Sequence, residues 1–152
     1  MRVRSQWPCI AVGTVSKVTN AQEPQVFSGD DMPSIIDQLS RLEPLFHHPE
    51  LGTSYDAFDA RIAGDFWEVG ASGQCYSREY VWSVLQQRYA GDDDDPWETS
   101  EFKCRQLLLD TYLLTYLVRQ DERFTRRATI WQVATRGWQI IYHQDTVIAD
   151  PS

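Results

Sequence analysis

The chain has few cysteines, few histidines, a deficit of positive charge and no long apolar run. Its cysteines are three, Cys9, Cys75 and Cys104, an odd number with no C-x-x-C spacing. That argues against a disulfide framework and against a zinc ribbon. Reduced thiols in a cytoplasm are the simple reading, with Cys75 and Cys104 as buried small hydrophobes. Lys and Arg total 14 against 22 acids, for a net charge of −8. Nucleic acid and anionic membranes are therefore poor partners, because phosphates need clustered cations. No apolar run reaches the roughly 20 residues of a membrane helix. Cys9 to Val18 is interrupted by Gly13, Thr14, Ser16 and Lys17, a poor signal-peptide core. Metal chemistry is also short of ligands. His47 and His48 are adjacent and would diverge on a helix, and Asp56, Asp59 and Asp65 suit helix ends and solvent. No metal and no cofactor is expected. The Gly70-Ala71-Ser72-Gly73-Gln74 string lacks the second glycine of G-x-S-x-G and reads as a tight turn.

What the chain does have is a globular composition rich in aromatics. Hydrophobic residues make up 42% and charged residues 24% of 152 residues, enough for one domain with a full core. The six Trp, seven Tyr and six Phe suit half-buried sheet surfaces and pocket walls alike.

Residues 1–31 fit no clean period and read as an N-terminal extension; Met32 opens the domain, 32–152, and is read as an internal natural start. Ser34 caps a first helix, with Asp37 three residues on and apolar residues from Ile35 to Phe46 at helical spacing. Thr53 or Ser54 caps a second helix, which Gly64 ends. Asp65 to Val69 is a strand. Ser77 caps a third helix, which Gly91 and the Asp92–Asp95 run terminate. Glu101–Leu109, Tyr112–Val118, Phe124–Val133 and Trp138–Val147 are strands with short polar turns, which forces antiparallel meander pairing. A strict alternation puts Trp138, Ile140, Tyr142 and Gln144 on one face of the last strand. Ile141 and His143, with Gln139 and Asp145, take the other. Bulk on both faces implies that both are covered: one by the helices, the other by a second copy, hence a homodimer.

Candidate site residues follow from this layout. Glu68, between Trp67 and Val69, can point into an apolar cavity where desolvation raises its pKa. His143 can act as acid or base near neutrality. Arg127, Thr129 and Trp131 share a strand face and supply an anion clamp, a hydroxyl and an aromatic floor. Trp67 and Tyr116 complete the ligand-lining set. The competing reading for each is structural: a paired strand acid, a satisfied histidine, a core tryptophan.

The strings DFWEVGASG (65–73), YSREYV (76–81), RRATIWQ (126–132) and GWQIIYHQDT (137–146) occur in an order that resembles the nuclear transport factor two-like superfamily. The superfamily includes SnoaL-like and ketosteroid isomerase-like proteins. The resemblance spans Met32 to Val147. It implies an α+β cystatin-like cone, with three N-terminal helices packed on a curved, mostly antiparallel sheet around a ligand-sized pocket. Isomerase members use a carboxylate base and an oxyanion hole, which would make Glu68 the base and Tyr116 or His143 the donor. The expected function is a small-molecule-binding domain. The alternatives are a cofactor-free acid–base enzyme of the isomerase or dehydratase kind and a protein-interaction module.

Overall fold

The computed structural model describes residues 33–91 and 96–152. The expected extension, Met32, Cys9 and the aspartate run lie outside them. The helix starts fall where the hydroxyl caps put them. Ser34 caps α1 (Ile35–Ser40), its Oγ accepting from the Asp37 amide at 3.3 Å and donating to Asp37 Oδ2 at 2.7 Å. Ser54 caps α2 (Tyr55–Arg61), and Ser77 caps α3 (Arg78–Tyr89). The end of α1 differs from expectation. The helix stops at Ser40, and two 3-10 turns follow, Leu45–His47 and Pro49–Leu51. Pro44 has no N–H to continue a ladder, and Glu43 before it turns into the core at 2% exposure.

The strands are β1 (Ile62–Val69), β2 (Cys75–Ser77), β3 (Glu98–Leu108), β4 (Thr111–Gln120), β5 (Arg123–Ala134) and β6 (Gly137–Ile148). β1 starts at Ile62 rather than Asp65, because Ile62 pairs with Ile140 and is buried; Gly64 lies inside the strand, where the register shifts. β2 is a short return strand, closed onto β1 by a turn with Gly73 at φ 81°. The six strands form one sheet in the order β2-β1-β6-β5-β4-β3. The meander of β3 to β6 is antiparallel, and β1 runs parallel to β6.

All three helices share one face of this sheet, which is therefore the inner face. Leu39 of α1, Phe58 of α2 and Leu85 of α3 join Phe66, Leu114, Tyr116, Trp131 and Ile140 in a single buried cluster. Each fully buried large side chain contributes about 1.5–3 kcal/mol. A bulge in β6 changes the expected facing. Trp131 pairs with Ile140, and Ile130 with Tyr142, so Ile141 is an extra residue without an opposite number. Alternation is broken there. Trp138 and Ile140 share the inner face with His143 and Asp145, whereas Tyr142 points out. No helix among the described residues is long and apolar enough to cross a membrane.

Candidate functional site

Strands β5 and β6 supply the centre of the inner face. Thr125, Arg127 and Thr129 stand opposite Val147, Asp145 and His143. His143 is 5% exposed, and both ring nitrogens are held: Nδ1 lies 2.8 Å from Thr129 Oγ1 and Nε2 lies 2.9 Å from Asp145 Oδ1. Burial opposes a charge on the ring. The hydrogen bond and charge of Asp145, with the Glu43 charge behind them, outweigh burial and raise the pKa above its ordinary value. In the protonated form both N–H groups donate. Asp145 is the counterpart. Burial pushes its carboxyl up, but His143, Arg127 and Arg123 pull it down further, and the net shift is downward. Arg127 Nε is ion-paired with the same Oδ1 at 3.2 Å and donates its hydrogen to Thr125 Oγ1 at 3.4 Å.

Glu68 enters from β1, its Cα paired with that of His143. Its carboxylate makes no hydrogen bond among the described residues. Burial raises its pKa, and the Asp145 charge adds to this; His143, Arg127 and Arg88 oppose it without cancelling it.

A second buried carboxylate sits deeper. Glu43 accepts the Tyr116 hydroxyl at 2.7 Å on Oε2 and the Trp131 indole N–H at 3.1 Å on Oε1. Burial first, then the Glu43 charge, drives the Tyr116 phenol well above its ordinary range. The Tyr116 ring stacks on Phe102 at 5.1 Å.

At one end of this face lies a cavity of about 680 Å³, walled by His47, Arg88, Arg123, Thr125, Arg127 and Asp145, with the tip of the β4–β5 hairpin at its rim. His47 is held uncharged there. Burial, then Arg88, Arg127 and His48, lower its pKa to about 4, with Asp145 opposing.

Arg127, Thr129, Glu68 and His143 are thus brought together, and Tyr116 and Trp131 lie on the same face. Their access differs. Arg127 is on the cavity wall. Thr129 and Trp131 are 0% exposed and Tyr116 is 2% exposed, and none of the three is on the cavity wall. His143 sits behind Asp145 with no free ring nitrogen. Trp67 is on the other face, 50% exposed, its ring 5.2 Å from that of Tyr142. It lines an outer groove of about 490 Å³ with Ile130, Ile141 and Tyr142. Cys75 is exposed and Cys104 half-buried, against the expectation that both are core residues; Cys75 belongs to the short β2, whose outer side nothing covers among the described residues. Among the described residues no cluster of His, Cys, Asp and Glu is arranged to hold a metal.

Four participants escaped the sequence: Glu43, His47, Arg88 and Asp145. Only Asp145 left a signal, its position two residues after His143.

No protein-family model matches the chain, and no curated protein is significantly similar to it. Solved structures do match. An NTF2-like protein from Cytophaga hutchinsonii is 14% identical with a TM-score of 0.58, covering 77% of this chain and 100% of its own. An uncharacterised cystatin-like fold protein from Caulobacter vibrioides is 14% identical with a TM-score of 0.60, covering 76% and 89%. A protein from Parabacteroides distasonis, named as a candidate ketosteroid isomerase, is 14% identical with a TM-score of 0.57, covering 76% and 89%. The fold is therefore the α+β cystatin-like fold of nuclear transport factor two-like proteins, the superfamily that the four sequence strings resemble.

Proposed function

We propose that this cystatin-like domain binds a small molecule in the cavity at the end of its inner face. The carrying observation is the cavity itself. Its volume of about 680 Å³ is that of an ordinary ligand site, and its wall includes the Arg127–Asp145 pair held at 3.2 Å on two central strands. A site built on paired strands keeps its geometry better than one built on loops. A thermal-shift screen of metabolites tests the reading. A ligand at 100 times its dissociation constant adds about 2.7 kcal/mol. Stabilisation by a compound class, lost in Arg127→Gln, supports it. No shift with any compound, or shifts indifferent to Arg127→Gln, rejects it.

Cofactor-free acid–base catalysis is the second reading, favoured by Glu68. A half-buried carboxylate of raised pKa, without a hydrogen-bond partner among the described residues, suits proton abstraction. The fold neighbour named as a candidate ketosteroid isomerase lends the reaction class. In this reading Glu68 is the base and His143 a positioning residue, because both its nitrogens are engaged. The outer groove around Trp67 is proposed as the contact with a second copy, giving a homodimer.

A further inference from the structure

We propose that the cavity takes a small organic acid, its carboxylate held by the two terminal nitrogens of Arg127 and a neighbouring hydroxyl or ammonium held by Asp145 Oδ2. This rests on the reading of the cavity as a ligand site and names the ligand class.

The argument begins with what is left over on the two side chains. Arg127 is nine-tenths buried, at 10% side-chain exposure, and Nε alone is engaged, with Asp145 Oδ1 and Thr125 Oγ1. The terminal nitrogens have no partner among the described residues. They are not sealed in either, since the one fully buried side-chain nitrogen or oxygen without a partner there is Arg78 Nε. They therefore face the cavity that Arg127 lines. Two parallel N–H donors in a rigid plane match a carboxylate. Asp145 is complementary. His143 hydrogen-bonds Oδ1 and Arg127 is ion-paired with it, which leaves Oδ2 open beside the fork. An acceptor next to a carboxylate clamp selects an acid carrying a donor near its carboxylate.

The surroundings agree. Arg88 stands on the wall, and Arg123, Asp121 and Glu122 are all exposed at the hairpin tip, where water screens the three alike. His47, faced by Arg88, Arg127, His48 and Asp145, stays neutral and does not compete for the anion. A phosphate would bring up to about two negative charges against Asp145, a penalty that a carboxylate halves. The volume of about 680 Å³ leaves room for a body well beyond the head group.

The test is calorimetry with lactate, lactamide, propionate and inorganic phosphate, paired with NMR of the His47 ring. Lactate should bind and raise the His47 pKa from about 4, because an anion joins its neighbours. Lactamide and propionate should each bind at least about tenfold more weakly, the cost of leaving a built donor or acceptor unmet. Arg127→Lys and Arg127→Gln should lose lactate binding by a similar factor, with the dispersion of the amide NMR spectrum kept as in the wild type. Lactamide binding as tightly as lactate, phosphate binding more tightly than lactate, or Arg127→Lys binding normally would each overturn the assignment. Absence of binding by all four, with a neutral hit in the metabolite screen, overturns this inference alone. Absence of both removes the ligand site as well.

Discussion

His143 and Asp145, two residues apart on one strand, are bound to each other at 2.9 Å, Nε2 to Oδ1. The period of two puts both side chains on one face. Thr129, the strand partner of His143, closes the other side of the ring at 2.8 Å. The pair therefore behaves as one unit. His143 fixes the carboxylate, and the carboxylate presents its remaining oxygen to the cavity.

Asp145→Asn should lower the His143 pKa and cost about 1–3 kcal/mol, the range for depriving a buried group of a hydrogen-bond partner. Histidine NMR titration and urea unfolding measure the two effects. An unmoved His143 pKa contradicts the coupling.

His143 and His47 give stability opposite slopes with pH. Native His143 holds its proton more tightly than the unfolded chain does. Its contribution is complete below the ordinary 6.5 and is lost as pH rises through the raised native value. Native His47, lowered to about 4, resists protonation, so its contribution is present above 6.5 and is lost as pH falls toward 4. His143→Gln should flatten the alkaline limb of the stability curve and His47→Gln the acid limb. Urea midpoints between pH 4 and 9, about the range that spans both titrations, measure this. An acid limb unchanged in His47→Gln contradicts the assignment.

Glu43 holds the core from a loop. Glu43→Ala strands the Tyr116 hydroxyl and the Trp131 N–H at about 1–3 kcal/mol each, plus the cost of a void. Glu43→Gln keeps one acceptor and should cost less. A double-mutant cycle with Tyr116→Phe should return a coupling of about 1 kcal/mol or more. A coupling near zero means that the 2.7 Å contact contributes nothing.

These examples separate what the sequence displays from what it hides. The caps Ser34 and Ser77 were legible, and the second cap was narrowed to Thr53 or Ser54, because a cap needs only a hydroxyl and its own next turn. The four-strand meander was legible because short polar turns leave one way to pair. That Trp138 and Ile140 share the face of His143 was not: one extra residue at Ile141 inverts a period of two, and nothing local in GWQIIYHQ announces a bulge. Glu43 was hidden for another reason. Its partners are 73 and 88 residues away, and a loop glutamate beside a proline looks like solvent surface. His47 and Arg88 likewise acquire their role only when a 3-10 turn and a helix end meet the cavity. Local chemistry was readable; convergence on the site was not.

Trp67 tests the outer face. Its half-exposed ring, packed on Tyr142 beside Ile130 and Ile141, is apolar surface that a second copy would cover. Trp67→Glu should shift sedimentation equilibrium from dimer to monomer without loss of helix or strand signal. A monomeric wild type ends the homodimer proposal.

Glu68→Gln separates function from stability in one variant. Burial raises the native Glu68 pKa, so the native state binds its proton more tightly than the unfolded chain. The carboxylate therefore costs stability in full above its raised native value, and the cost fades as pH falls through that value and is gone below the ordinary 4.5. A neutral isostere removes the penalty at pH 7, and Glu68→Gln should melt higher than wild type, with the gain vanishing at acid pH. Natural folds keep such unfavourable groups where chemistry needs them. Under the acid–base reading, the same variant should lose about 100-fold or more of turnover once a substrate is found, the usual contribution of a general base. A higher melting point with turnover intact leaves the binding reading standing and removes Glu68 as base. A lower melting point at pH 7 would show that the carboxylate is satisfied in the native state, and both arguments built on its isolation would fall together.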